Sequence, residues 1–259
     1  MVKAAFFDID NTIYDHKNKR WDSESLEAIK DLKRKGIKVF LSTARPYASF
    51  VPFGALDLGI EWDGYVASSG GLAVVGEETV FKTTVRKEDV EKFKELCHYH
   101  HQTMEFVGEK ERKLFAPLTK NAETYYYGIF HDTIPEVDGD FPDDCIALML
   151  FIDKKYDRRF ERLFPHLCFY RFFDTAVDVY EVPHKKGDGI AAILRYFDIK
   201  KEEAIAFGDG LQDISMAGEV GCFVAMGNAQ EEVKSAASFV TLPVWEGGVK
   251  EGLIKLGLI

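Results

Sequence analysis

Three features of this 259-residue sequence predict an α/β fold, an open parallel sheet interrupted by an inserted α+β module. An apolar run from Val2 to Phe7 breaks directly into Asp8, Ile9 and Asp10. A helical pattern and a second apolar run, Ile37 to Leu41, follow in the strand, helix, strand order of a parallel crossover. Beyond about residue 182 the same alternation resumes, so the stretch before it interrupts one sheet.

The elements follow in order. After the first strand comes a polar loop through Lys17, Asn18 and Lys19. A helix is expected over Ser23 to Lys35, because Leu26, Ile29 and Leu32 share one face, Asp22 or Ser23 can cap its start, and Gly36 can end it. The strand Ile37 to Leu41 runs into Ser42, Thr43, Ala44, Arg45 and Pro46. Gly64 to Val75 and Thr79 to Val85 predict short strands around a turn at Gly76, an antiparallel excursion off the sheet. From Arg86 to Val182 the pattern changes. A helix (Lys87 to His101), a strand (Thr103 to Val107), an aromatic stretch at Tyr125, Tyr126 and Tyr127, a strand (Cys145 to Ile152), a helix (Lys155 to Phe164) and two strands (Cys168 to Phe172, Val177 to Val182) suit a module that folds by itself. The parallel pattern returns with a helix from Gly187, a strand Ala204 to Phe207, a helix Leu211 to Gly218, a strand Cys222 to Ala225, and helices from Ala229 and after Gly248. Residues 1–82 and 183–259 are therefore expected to form the core, and 83–182 the insertion.

Composition narrows the function classes. With 46% hydrophobic and 29% charged residues, the chain reads as a soluble globular protein able to bury a substantial core. Its net charge of -10 argues against a nucleic-acid polymer or an anionic membrane as partner, and leaves a small phosphorylated ligand open where local cations and a metal reverse the sign at the site. Cys97, Cys145, Cys168 and Cys222 are scattered, without metal-ligand spacing, and read as free thiols of a reducing compartment. No apolar run reaches membrane-spanning length and no signal pattern opens the chain, so a cytoplasmic location is expected.

Chemistry gathers where strands end, since ligands of open parallel sheets bind beyond the strands' carboxyl ends. Asp8 and Asp10 repel each other when ionised, a cost that a divalent cation or a shared proton offsets. One Asp can attack phosphorus while its neighbour moves a proton. Thr43 offers a hydroxyl, and Ala44 a backbone N–H, to a phosphate oxygen, although a Thr after a strand also serves as a helix cap. Lys185 and Lys186, before Gly187, bring cationic charge to a helix start. The strand Ala204 to Phe207 runs into Gly208, Asp209, Gly210, Leu211, Gln212 and Asp213, where Asp209 could complete an oxygen-rich magnesium shell.

The order D-x-D-x-T, S-T-A-R-P, K-G and G-D-G-x-x-D resembles that of the haloacid dehalogenase-like hydrolases, specifically the Cof-type subfamily with a large type IIB cap between the second and third motifs. The resemblance spans nearly the whole chain and implies a Rossmann-like core with an inserted cap that sets substrate specificity. It implies Asp8 as the nucleophile and Asp10 as the general acid and base. Mg2+ would be held by Asp8, the Asp10 backbone carbonyl and Asp209. Thr43, Ala44, Lys186 and Gln212 would contact phosphate, and Asp213 would support the metal site. Asn11 and Ala44 stand where the subfamily usually has Gly, and Gln212 where it usually has Asn. The function implied is a magnesium-dependent phosphatase acting on a small phosphorylated metabolite, a sugar phosphate, nucleotide or phosphorylated cofactor, through an aspartyl-phosphate. A phosphotransferase or mutase acting on sugar phosphates, and a regulatory protein that binds a phosphometabolite with little turnover, remain open. In the cap, Tyr125, Tyr126, Tyr127, His131 and Arg112 could line the substrate pocket or simply pack its core. Monomer and homodimer are both compatible with the pattern.

Overall fold

A computed structural model describes residues 1–116, 118–130, 133–138, 144–182 and 184–259. Two compact units emerge. One comprises Met1–Arg45, Phe53–Phe81 and Lys185–Ile259, the other Pro46–Pro52 and Lys82–His184.

In chain order the elements are β1 (Ala4–Phe7), β2 (Tyr14–Asp15), β3 (Arg20–Trp21), α1 (Ser23–Arg34), β4 (Lys38–Ser42), α2 (Tyr47–Phe50), β5 (Gly64–Ala67), β6 (Leu72–Val75) and β7 (Glu78–Lys82). There follow α3 (Lys87–His100), β8 (Met104–Val107), β9 (Arg112–Phe115), α4 (Lys120–Glu123), a π-helical segment (Thr124–Phe130), β10 (Glu136–Val137), β11 (Ala147–Leu150), α5 (Asp157–Leu163), β12 (Leu167–Phe173) and β13 (Ala176–Glu181). The chain closes with α6 (Lys186–Tyr196), β14 (Ala204–Gly208), a 3-10 helix (Leu211–Gly218), β15 (Cys222–Ala225), α7 (Glu231–Ala236), β16 (Phe239–Val240) and α8 (Gly248–Lys255).

The first unit is built on an eight-stranded sheet of order β16-β15-β14-β1-β4-β5-β6-β7. Its strands run parallel from β16 to β5, and β6 pairs antiparallel with β5. All four residues of β1 are buried, as expected for a central parallel strand covered on both faces. On one face Phe6, Phe40, Ile190, Ile193, Met216 and Phe223 share a core, with the Phe6 and Phe40 rings stacked 4.9 Å apart. Leu26, Ile29 and Leu32 are the buried stripe of α1, whose last turn passes into Gly36 at φ +80, a conformation glycine adopts without a steric penalty.

Some expectations change here. The stretch from Gly64 to Val75 does not leave the sheet: β5 is a parallel strand beside β4, and β6 and β7 extend the same sheet. Four-residue apolar runs carry no directional signal, so their pairing was not readable from the pattern. The loop expected around Lys17 is the tip of the β2–β3 hairpin, and Leu211–Gly218 forms a 3-10 helix.

The second unit has a six-stranded sheet of order β10-β9-β8-β11-β13-β12. Val90, Phe93 and Cys97 of α3 and Phe160 of α5, with Phe164 just beyond it, pack on Phe106, Leu148 and Val179. A second cluster joins Leu114, Met149, Phe151, Tyr125 and Tyr126. Tyr125 and Tyr126 are thus core residues, and Tyr126 donates its hydroxyl hydrogen to buried Glu105. Arg112 is also buried and donates to Glu105 (3.5 Å) and to the Thr133 carbonyl (3.1 Å), which leaves only exposed Tyr127 of the three tyrosines at the surface. His131 lies outside the described residues. The four cysteines are free, and burial pushes the Cys97 and Cys145 thiols up to about 12. Among the described residues, no helix is long and apolar enough to cross a membrane.

Candidate active site

Parallel register brings the motif loops together. Phe7 lies between Leu41 of β4 and Phe207 of β14, so Asp8, Thr43 and Asp209 leave the sheet at one edge. Main-chain bonds fasten these loops: Asp8 N–H donates to the Phe207 carbonyl (3.0 Å) and Thr43 N–H to that of Val66 (2.8 Å). Lys186 opens α6, with Lys185 as the preceding cap residue.

Lys186 occupies the centre of this edge. Its ammonium is 3% exposed and donates to Asp8 Oδ1 (2.6 Å), Asp213 Oδ1 (2.6 Å) and the Ser42 carbonyl (3.1 Å), which uses its three donors. The other oxygen of Asp213 accepts from the Asp209 and Gly210 N–H groups, both at 2.9 Å. Asp213 thereby shapes the turn that presents Asp209. Burial raises the Asp8 carboxyl, Lys186 opposes that rise, and the charges of Asp213 and Asp10 add to it, leaving it at about 7. Burial, followed by repulsion from Asp8 and Asp213, brings Asp209 to about 8. Burial disfavours the Lys186 cation, yet Asp213 and Asp8 more than offset this and hold it protonated.

Asp10 is in a different environment. Burial alone would raise its carboxyl, but hydrogen bonds with His16 and Arg45, together with the Arg45 charge, hold it well below the usual carboxylate range. Arg45 grips it through Nε (2.9 Å to Oδ2) and Nη2 (2.7 Å to Oδ1), and His16 Nε2 is 2.6 Å from Oδ1. The guanidinium also lies over the Phe53 ring, 4.1 Å from its centroid, and Tyr14 meets the His16 ring edge-on.

Thr43 is fully buried, and its Oγ1 accepts from the Arg45 N–H (3.1 Å). Ala44 follows it, half-buried. Gln212 is half-buried and accepts from Ser69 Oγ at 2.6 Å. Asn11 has φ +57, within the left-handed region that glycine occupies freely and asparagine tolerates well, which accounts for Asn at that position. Ala44 is absent from the positive-φ residues, so nothing in its backbone calls for Gly. Asn228 Nδ2 donates to the Asn11 carbonyl (2.9 Å) and approaches Asp209 Oδ2 (3.4 Å), while its Oδ1 accepts from the Val244 N–H (2.8 Å).

Arg45, His16, Asn228 and Ser69 were not identified as site residues by the sequence reading. Arg45 carried a signal, as the single cation in the loop after β4, and Asn228 stood in the stretch Val224 to Asn228 through which the family resemblance runs.

Carboxylate oxygens of Asp8, Asp209 and Asp213 all lie within 4.8 Å of one another. An all-oxygen set of crowded acids, two of them buried and Asp209 half-buried, fits a hard divalent cation. Both Asp213 oxygens already accept hydrogen bonds, which leaves Asp8 and Asp209 as the better donors to such an ion.

The family model of the haloacid dehalogenase-like hydrolases matches residues 5–253, and the chain belongs to that family. A solved protein from Geobacillus kaustophilus HTA426 is 31% identical with a TM-score of 0.92, and the HAD subclass IIB sugar phosphatase BT4131 is 31% identical with a TM-score of 0.85. Both likenesses cover 100% of each chain. Phosphoglycolate phosphatase 1 of Saccharolobus solfataricus is 26% identical over 260 residues, 99% of this chain and 96% of that protein. The chain is a Cof-type member of the family, and its enzyme class is phosphoric monoester hydrolase.

Proposed function

We propose that this protein is a magnesium-dependent phosphatase that hydrolyses a small phosphate monoester through an aspartyl-phosphate on Asp8. The observation that carries this reading is the buried Asp8 carboxylate, held 2.6 Å from the Lys186 ammonium and grouped with Asp209 where parallel strands end. Asp8, the Asp10 backbone carbonyl and Asp209 would hold Mg2+, which supplies positive charge against the crowded carboxylates and the phosphoryl oxygens.

An Asp8 oxygen attacks phosphorus, an O–P bond forms, and the ester O–P bond breaks. Asp10 supplies the proton for the departing oxygen. It then takes one from the water that attacks the aspartyl-phosphate, freeing Asp8 and inorganic phosphate. The Arg45 and His16 contacts favour the ionised, proton-accepting form of Asp10, so uptake of the proton to be delivered requires those contacts to loosen. The Thr43 hydroxyl, the Ala44 N–H and the Gln212 amide hold the phosphoryl oxygens, the positive charge of Lys186 offsets theirs, and Asp213 keeps Lys186 and the Asp209 turn in place.

Likeness to the sugar phosphatase BT4131 supports a phosphorylated sugar as the first substrate class to test, with the inserted unit selecting among such compounds. Buried free thiols support a reducing, cytoplasmic setting.

Release of inorganic phosphate from a panel of sugar phosphates, nucleotides and phosphorylated cofactors tests the reading, with and without Mg2+ and with Asp8→Asn alongside. Release that requires both Mg2+ and Asp8 is the expected result. Full activity of Asp8→Asn would sink the covalent step, and phosphate appearing on a second sugar instead of in solution would replace hydrolysis by phosphotransfer.

A further inference from the structure

The loop Ser68–Gly71, between β5 and β6, lies outside the four motifs yet meets three of them. Ser68 N–H donates to the Arg45 carbonyl (3.0 Å) and Ser69 N–H to the Thr43 carbonyl (3.2 Å), which fastens the loop to the turn after β4. Gly70 packs so closely on the start of α6 that an added Cβ would stand 1.9 Å from the Lys185 carbonyl oxygen. Ser69 Oγ donates to Gln212 Oε1 at 2.6 Å, which reaches the turn after β14.

The backbone is unusual as well. Ser68, Ser69 and Gly70 have φ of 48, 56 and 103, so two consecutive non-glycine residues occupy the left-handed region. Such conformations are costly and persist where surrounding contacts over-determine them. A turn that merely reversed the chain would not need a nearly buried hydroxyl aimed at another loop.

We propose that Ser69 is a positioning residue for phosphate recognition: by donating to the Gln212 carbonyl oxygen, it turns the Gln212 NH2 group toward the phosphate. A glutamine amide presents an acceptor and a donor at one end, and a phosphate oxygen is attracted only by the donor. Glutamine also has one more rotatable bond than asparagine, so fixing its carbonyl end restricts the orientations it samples. Ser69 shares its loop with the bonds that hold Thr43, so the two phosphate contacts are tied to one rigid turn. This inference rests on Gln212 contacting phosphate.

The test is calorimetric titration of inorganic phosphate in Mg2+ buffer, together with kcat and KM on one active monoester, for Ser69→Ala, Gln212→Ala, Gln212→Glu and the double alanine variant. Ser69→Ala is expected to weaken phosphate binding and raise KM by about 3- to 10-fold, the range of one hydrogen bond, with a smaller change in kcat and an unchanged Tm. The double variant should bind no more weakly than Gln212→Ala, and Gln212→Glu, which keeps an acceptor for Ser69 but loses the donor, should bind most weakly. Wild-type binding by Ser69→Ala, or losses that multiply in the double variant, would overturn the assignment of Ser69. Unchanged binding in Gln212→Ala would instead remove Gln212 from the phosphate site, and the inference with it. Binding and turnover by the wild type, with their dependence on Asp8, judge the phosphatase reading separately.

Discussion

Replacing Lys186 by Met removes a buried charge while keeping much of the side chain's volume. Asp8, 5% exposed, and Asp213, 1% exposed, then lose the cation 2.6 Å from each. Asp213 keeps two N–H donors on its other oxygen, so Asp8 is left the poorer of the two. Removing one partner of a buried ion pair costs about 3–5 kcal/mol. Lys186 is the main influence lowering Asp8 against burial, so its removal drives that carboxyl further up. A folded-state pKa above the unfolded value contributes stability that is present below the unfolded pKa and lost as pH rises through the folded one. The deficit of Lys186→Met, about 3–5 kcal/mol while Asp8 is ionised, should therefore shrink on going from pH 7 to pH 5, where Asp8 is protonated with or without the lysine. Chemical denaturation with chelator present, at both pH values, measures it. A variant as stable as wild type at pH 7, or a deficit that grows on acidification, would refute the view that Lys186 neutralises a buried carboxylate pair.

Other predictions concern the same core and the second unit. Mg2+ should raise the Tm of the wild type and do so far less for Asp209→Asn, while chelator should abolish phosphate release; equal shifts in both proteins would place the ion elsewhere. Gly70→Ala should destabilise the fold by more than about 2 kcal/mol, because its φ of 103 and the Lys185 carbonyl 1.9 Å from an added Cβ leave no room to relax, and thermal unfolding will show it. Burial raises Asp178 to about 7, with Tyr180 opposing the rise and Glu105 adding to it. Its contribution to stability is thus present below about pH 4 and lost as pH passes 7, so Asp178→Asn should be the more stable form at pH 8 by roughly 1–2 kcal/mol after discounting for solvent screening, and no better at pH 4. Urea unfolding at the two pH values decides, and a less stable variant at pH 8 would contradict it.

How much could be read before folding depends on the range of each interaction. β1 and β14 were legible because a strand buried on both faces must be apolar throughout, and each breaks abruptly into acids. The α1 face was legible from its spacing, and its end from Gly36. Asp8, Asp10, Lys186 and Asp209 were singled out because acids and a lysine in this order, after strands and before a helix, are the groups phosphoryl transfer would use. Elsewhere the local signal failed. The two-residue strands β2, β3, β10 and β16 are shorter than any periodicity, and the aromatic run at Tyr125 could not declare whether it faced a pocket or a core.

Contacts across long stretches of chain had no local signal at all. Arg45 grips Asp10 from 35 positions away, Ser69 reaches Gln212 across 143, and Asn228 joins the Asn11 carbonyl across 217. Hydrophobic period, caps and the order of strand ends follow from forces between near neighbours, so the amino-acid order alone was enough to specify the α/β fold class and the acids that follow β1 and β14. Which cation neutralises which acid, which hydroxyl orients which amide, and which tyrosines are core depend on distances of about 3 Å between residues far apart in the chain, and only the packed sheets set those distances.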